Sequence, residues 1–304
     1  MPLPVRSLGH LMLARAGIAL LWLLHFLPLG LLSRSGEAFG LMLYLLGTER
    51  RRVCRLNLER CFPECLPDEV DCRVRGHFRA LGRSLVEHGL LWWSTRERIV
   101  RLVRVVGREH LDAHRGKPVI LLAPHFVGLD TGFARLACEF DMASIYSRQK
   151  SAAMDAMLLH GRTRLGNQQL FSRQDGVRAA INALRDARPF YYLPDLDYGP
   201  RDAIFVPFFG VPAATITGLT RLARLSGATI IPCVTRMFPG GDGYEVRLYP
   251  AWDAFPGGAA PADVEADTRR MNAFIEDRVR EMPEQYLWTH KRFKTRPPGE
   301  QRWY

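Results

Sequence analysis

The chain has 304 residues, enough for one large domain or one domain with appendages. Its 42 Lys and Arg outnumber 31 Asp and Glu, a net charge of +11 that points to anionic partners. The excess is nearly all Arg, a bidentate phosphate binder, and it is spread out with no zinc-finger, RNA-recognition or homeodomain signature, which weighs against nucleic acid.

Ala16 to Leu32 is strongly apolar and flanked by Arg15 and Arg34. It is too long, and lacks the cleavage site, for a secretory signal. Its length is near the lower limit for a spanning helix, and His25 and Pro28 interrupt it. A second apolar stretch, Ala38 to Leu46, follows. The segment therefore reads as a single anchor helix or as a helix pair that dips into one leaflet and returns, with a buried helix of a soluble domain as the alternative, and residues 1–48 are expected to form a membrane-anchoring segment. Arg50, Arg51, Arg52 and Arg55 come next, where a cytoplasmic juxtamembrane cluster would meet anionic lipid. The six cysteines contain no Cys-x-x-Cys and read as reduced thiols facing the cytosol. Zinc at Cys61, Cys65, Cys72 and His77 is the alternative.

Pro67-Asp68-Glu69 opens a helix to about Trp93, with apolar positions at Val74, Phe78, Leu81, Leu85 and Leu90. His77 and His88 fall within this pattern and read as structural. From Arg101 short strands alternate with helices. The strands are Leu102–Val106, Val119–Ala123, Ala143–Tyr146, Gln169–Phe171, Phe190–Leu193, Thr229–Val234 and Tyr244–Leu248. The helices cover about 128–140, 151–164, 175–187 and 215–226, with a last one from Asp263 to Met282. This predicts an α/β domain over 49–304 with a mixed central sheet flanked by helices. Such sheets place their sites where strands end and helices begin.

His125 stands at one such junction, after a buried strand and Pro124, with Asp130 in the first turn of the next helix. With His125 in the turn, Asp130 is expected to accept a hydrogen bond from one imidazole nitrogen and leave the other as a base toward a substrate hydroxyl. Tyr191 to Pro200 is a second strand that ends in Pro and acids, here Asp195 and Asp197, suited to fixing a sugar or headgroup. Arg162, Arg164 and Arg173 lie between the two blocks as candidate phosphate partners.

His125-Phe-Val-Gly-Leu-Asp130, Tyr192-Leu-Pro-Asp-Leu-Asp-Tyr-Gly-Pro200, Phe205-Val-Pro-Phe-Phe-Gly210, Thr217-Gly218, Leu222-Ala-Arg224 and Ile230-Ile-Pro232 follow one another in order, and Glu284 to Pro297 closes the set. From roughly residue 40 onward the chain resembles the late acyltransferases of lipid A biosynthesis. These are the lauroyl/myristoyl-type branch of the lysophospholipid acyltransferase superfamily. The resemblance implies an enzyme on the inner membrane of Gram-negative bacteria, with its site open to the cytosol. It would take an acyl chain from acyl carrier protein and place it on a hydroxyl of a lipid A precursor, with no metal or cofactor. In that picture the HXXXXD residues His125 and Asp130 are the general base and its orienting carboxylate. One of Arg162 and Arg164 meets phosphate or the oxyanion, and Asp195 lies in the acceptor site. This branch usually has Glu where Asp130 stands. Related branches acylate ornithine lipids or mannosylated phosphoinositides, which leaves another phospholipid or glycolipid acceptor open.

Overall fold

The computed structural model describes residues 8–149, 151–172 and 176–304. Four helices come first: α1 (Leu8–Leu24), α2 (Leu29–Leu46), α3 (Thr48–Cys61) and α4 (Pro67–Trp93). Then follow α5 (Arg96–Leu102), β1 (Val103–Val106), α6 (Arg108–Asp112), β2 (Val119–Leu122), α7 (Leu129–Ala137), β3 (Ala143–Tyr146), α8 (Ala152–Thr163), β4 (Gln169–Ser172), α9 (Gly176–Arg185) and β5 (Phe190–Tyr192). The chain ends with β6 (Ala203–Phe208), β7 (Val211–Ile216), α10 (Gly218–Ser226), β8 (Thr229–Met237), β9 (Tyr244–Leu248) and α11 (Pro261–Glu281).

Seven strands form one sheet in the order β1-β9-β8-β2-β5-β3-β4. The pairs β8–β2, β2–β5, β5–β3 and β3–β4 are parallel, and β9 runs antiparallel to β8, so the sheet is mixed as expected. All four residues of β2 are buried, which is why a run of apolar residues without alternation forms a central parallel strand. One core lies on the face carrying α3, α9, α10 and α11, and a second on the face carrying α7 and α8. The two-stranded hairpin β6–β7 stands apart from the main sheet. The sequence pattern does not predict it, because Pro207 and Pro212 interrupt the strand alternation; the structure pairs them with each other.

The long apolar run does not form one helix. α1 ends at Leu24, the chain turns, and Pro28 starts α2. Among the described residues no helix is long and apolar enough to cross a membrane, so the single spanning anchor is not formed. α2 packs along α4 through glycine. A Cβ at Gly40 would lie 2.1 Å from the Phe78 carbonyl oxygen, and one at Gly82 would lie 2.3 Å from that of Gly36. Buried Ser33 on α2 donates to Glu87 on α4 at 2.9 Å. Large apolar side chains remain exposed on α1, the turn and α2: Leu20, Trp22, Leu23, Phe26, Leu31, Met42, Leu45 and Leu46.

The expected juxtamembrane cluster is instead bonded within the protein. It belongs to α3, whose buried Val53, Cys54, Asn57, Leu58 and Cys61 recur at helical spacing. Arg50 donates to the Thr289 carbonyl at 3.0 Å, Arg51 to that of Tyr44 at 2.9 Å, and Arg55 pairs with Asp71. None of the six cysteines is paired, and among the described residues no group of His, Cys, Asp and Glu could hold a metal. His77 is wholly buried and its Nδ1 faces the Glu284 carbonyl at 3.0 Å.

Candidate active site

Two strands build the centre of the site. β2 and β5 are parallel neighbours, with Ile120 opposite Phe190 and Leu122 opposite Tyr192. Both run on into a Pro and then a polar residue: Ala123-Pro124-His125 and Leu193-Pro194-Asp195. The equal spacing carries His125 and Asp195 to the same level. The Asp195 carboxylate accepts twice from His125, at 2.9 Å from the backbone N–H and at 2.7 Å from ring Nδ1. A carboxylate can only accept, so Nδ1 carries the proton and Nε2 is the free lone pair of the neutral ring. Nε2 has no partner among the described residues, and His125 lines a cleft. Burial of Asp195 pushes its carboxyl up, but the facing His125 imidazole and the hydrogen bonds His125 donates outweigh this and hold it below its ordinary range.

The C-terminal signature clamps this loop. Val127 N–H donates to the Gln285 carbonyl at 2.8 Å, and Leu287 N–H donates to the His125 carbonyl at 3.0 Å. Ser84 on α4 donates to the Val127 carbonyl at 2.6 Å. The backbone on both sides of the imidazole is therefore fixed. His290, in the same segment, is held neutral by burial first and then by the neighbouring His125 and Arg292, which lower it to about 4.

Asp130 does not orient His125. It lies in the first turn of α7 and meets Arg162 on α8, whose Nη2 and Nε donate to Oδ1 at 2.6 and 3.0 Å. His88 on α4 completes the group, with Nε2 3.3 Å from Asp130 Oδ2. The other His88 nitrogen lies 2.5 Å from the Ser84 carbonyl oxygen. Both nitrogens face acceptors, which suits an imidazolium. Burial lowers the His88 pKa, but the hydrogen bond and charge of Asp130 outweigh it and the net shift is upward. Burial raises Asp130, and Arg162 and then His88 outweigh it, holding this carboxyl well below its usual range. Arg162 Nη1 keeps no partner among the described residues, and Arg162 lines the cleft. Part of the reason for the misplaced pairing is distance along the chain: the contact residues lie 42 and 32 positions from Asp130, and only the tertiary fold brings them in.

The remaining candidates separate. Arg164 turns away from the cleft and donates to the Leu91 carbonyl at 2.7 Å and to that of Ser94, closing the C-terminal end of α4. Asp197 is buried and accepts from Gly199 N–H at 2.9 Å and from Thr295 N–H at 2.6 Å, tying the loop to the C-terminal segment. Arg173 lies outside the described residues. His88, read as structural, is brought to the site. Its signal in the sequence is only its place on a helix face shared with Ser84 and Leu91.

The cleft encloses about 840 Å³. Leu158, Leu159, Phe133 and Ile145 give it apolar wall, and Arg162, Arg201 and Arg221 give it cationic rim. Volume and lining suit an acyl chain together with an anionic group.

The model of the bacterial lipid A biosynthesis acyltransferase family matches residues 5–295. The match thus includes the N-terminal helices, which the motif resemblance did not reach. The chain is 37% identical to the lipid A biosynthesis lauroyltransferase of Escherichia coli (strain K12), over 93% of its own length and 92% of that relative. It is 32% identical to the palmitoleoyltransferase of the same organism over 95% and 93%, and 33% identical to its myristoyltransferase over 89% and 82%.

Proposed function

The chain belongs to the bacterial lipid A biosynthesis acyltransferase family and is an acyltransferase, and from that premise we propose that it moves a fatty acyl group from acyl carrier protein to a hydroxyl of a lipid A precursor. His125 Nε2 takes the hydroxyl proton. The alkoxide oxygen attacks the thioester carbon, a C–O ester bond forms, and the C–S bond breaks. The leaving thiolate receives the proton from the imidazolium. Asp195 keeps Nδ1 protonated and stabilises the imidazolium while it carries the second proton.

The observation that carries this reading is the 2.7 Å contact of His125 Nδ1 with buried Asp195, which leaves Nε2 as the base in a cleft that an acyl chain fits. Arg162, held by Asp130, supplies the cation for the oxyanion or for an acceptor phosphate. Asp195 thus takes the orienting role expected of Asp130, and Asp130 acts on Arg162.

The exposed apolar side chains of α1, the turn and α2 suit a pair of helices lying in one leaflet rather than crossing the bilayer. On this reading the chain lies on the cytoplasmic side of the inner membrane, where it meets a lipid acceptor. Family membership favours a lipid A precursor over an ornithine lipid or a phosphoinositide as acceptor.

The test is incubation of the purified full chain in detergent with acyl carrier protein thioester and each acceptor in turn, followed by mass spectrometry. The reading predicts one added acyl group on the lipid A precursor. Acylation of only the other acceptors would reject it.

A further inference from the structure

The outer face of the cleft wall made by α9 and α10 carries positive charge with no acidic partner among the described residues. The two helices read Gly-Val-Arg-Ala-Ala-Ile-Asn-Ala-Leu-Arg and Gly-Leu-Thr-Arg-Leu-Ala-Arg-Leu-Ser, with four Arg and no acid. Their buried sides are apolar: Ala180, Ala183 and Leu184 on α9, Leu219, Leu222 and Ala223 on α10. By helical phase this turns Arg178 and Arg185 outward on α9, and Arg221 and Arg224 outward on α10. Arg178, Arg185 and Arg221 have no hydrogen bond or ion pair among the described residues, and Arg224 reaches only the Gly258 carbonyl. On α11, by contrast, Arg269 is paired with Glu265 and Arg280 with Glu276 along the helix. Two apolar side chains lie exposed on the same pair of helices, Val177 at 39% and Leu225 at 48%. The N-terminal ends of both helices form the lip of the cleft, through Val177, Gly218 and Arg221.

Resting on the reading under Proposed function, we propose that this face docks the acidic carrier protein that delivers the acyl thioester, with Arg178, Arg185 and Arg224 opposite its carboxylates and Val177 and Leu225 covering its apolar side chains. At 10 and 9 residues the helices are about 15 Å long, which gives a small, charged interface of the kind that forms quickly and releases quickly. A carrier that leaves after each turnover needs such an interface. The face exposes only two apolar side chains and no aromatic, far less apolar surface than α1, the turn and α2 present to a bilayer. The exposed Trp22 and Phe26 lie instead at the end of α1, which packs against α4 and α8 on the other side of the cleft. Donor and acceptor thereby reach the cleft from different walls.

The test compares the native full chain with the triple variant Arg178→Glu/Arg185→Glu/Arg224→Glu, which spares the cleft-lining Arg221. Three readouts are taken: KM for the carrier thioester, kcat/KM for the corresponding acyl-pantetheine, and sedimentation with phosphatidylglycerol/phosphatidylethanolamine vesicles. The expected result is a rise of about tenfold or more in carrier KM, with acyl-pantetheine turnover and vesicle binding unchanged. An unchanged carrier KM overturns the proposal, and so does a loss of vesicle binding with carrier KM unchanged, which would make this a bilayer face. If the triple variant loses turnover of both donors, the single variant Arg185→Glu and the salt dependence of the native chain decide. Carrier kcat/KM must fall with salt while that of acyl-pantetheine stays flat, and equal salt dependence of the two donors rejects the docking face. A native chain that uses acyl-pantetheine but never the carrier thioester refutes the donor reading itself, a result separate from an unmoved KM in the variant.

Discussion

His125 and Asp195 stand at one level of two parallel strands, each one residue past a proline, and are joined by both a backbone and a ring hydrogen bond. Asp195→Asn keeps the shape but offers an amide that can donate to Nδ1 and thereby turn Nε2 into the protonated nitrogen. We expect kcat to fall by about 10²–10⁴-fold with little change in KM. Steady-state kinetics on the purified variant measure this. A fall under about threefold would show that Asp195 does not set the tautomer.

Arg162 is held by Asp130, which His88 also contacts. Asp130→Asn removes the charge that holds the Arg162 guanidinium and that raises His88 against its burial, so acyl transfer should fall by at least about tenfold and stability by about 1–3 kcal/mol. Asp130→Glu restores the charge and should recover most of both. Denaturant melts and initial rates on the two variants check this, and equal loss in both would deny the charge its role.

The pH dependence of stability follows from opposed histidines. His88 has a raised folded pKa, so its contribution is complete below about pH 6.5 and is lost as pH rises through the raised value. His77 and His290 are lowered to about 4 by burial, so they stay neutral when folded and stability falls as pH drops below about 6.5. For wholly buried His77 this amounts to on the order of 3 kcal/mol by pH 4. The melting temperature should therefore peak near neutral pH. His88→Gln should remove the alkaline limb and keep the acid one, and an alkaline limb that persists would assign it to another group.

The α2–α4 contact depends on absent side chains. A methyl at Gly82 meets the Gly36 carbonyl at 2.3 Å and the Gly40 nitrogen at 2.4 Å, all backbone that cannot swing aside. Gly82→Ala should destabilise by about 2–4 kcal/mol by forcing the helices apart. Thermal melts report it. Gly116→Ala, next to open space, serves as a control for strain alone at its φ of +75°.

Trp22 and Phe26 are 46% and 63% exposed at the end of α1 and in the turn that follows. Removing both by Trp22→Ser/Phe26→Ser should weaken binding to liposomes by about tenfold or more. Sedimentation with vesicles measures the partition, and undiminished binding would place the lipid contact elsewhere.

Seven sheet strands were legible because central parallel strands are continuous apolar runs between breakers. The hairpin was not, because Pro207 and Pro212 break the strand pattern, and only the fold shows them opposite each other across the two strands. α3 was hidden by its charge: its Arg residues suggested lipid, whereas the buried positions 53, 54, 57, 58 and 61 carried the helical signal. At the site, His125 was legible from the strand that delivers it, and Asp195 from the second one. Their pairing was not, since it requires knowing that β2 and β5 are neighbours. Sequence proximity favoured Asp130, five residues away, over Asp195, which is 70 away. Arg164 and Asp197 carry the same chemistry as Arg162 and Asp195, and only the fold shows that one closes a helix and the other fastens a loop.

The central claim is that His125 Nε2 takes the acceptor hydroxyl proton. Single-turnover acyl transfer from carrier protein thioester to a lipid A precursor, compared between the native chain and His125→Ala, tests it most directly. The account predicts a loss of at least about 10³-fold in the variant, with its melting temperature and lipid binding kept. Transfer at an undiminished rate by the variant would contradict it.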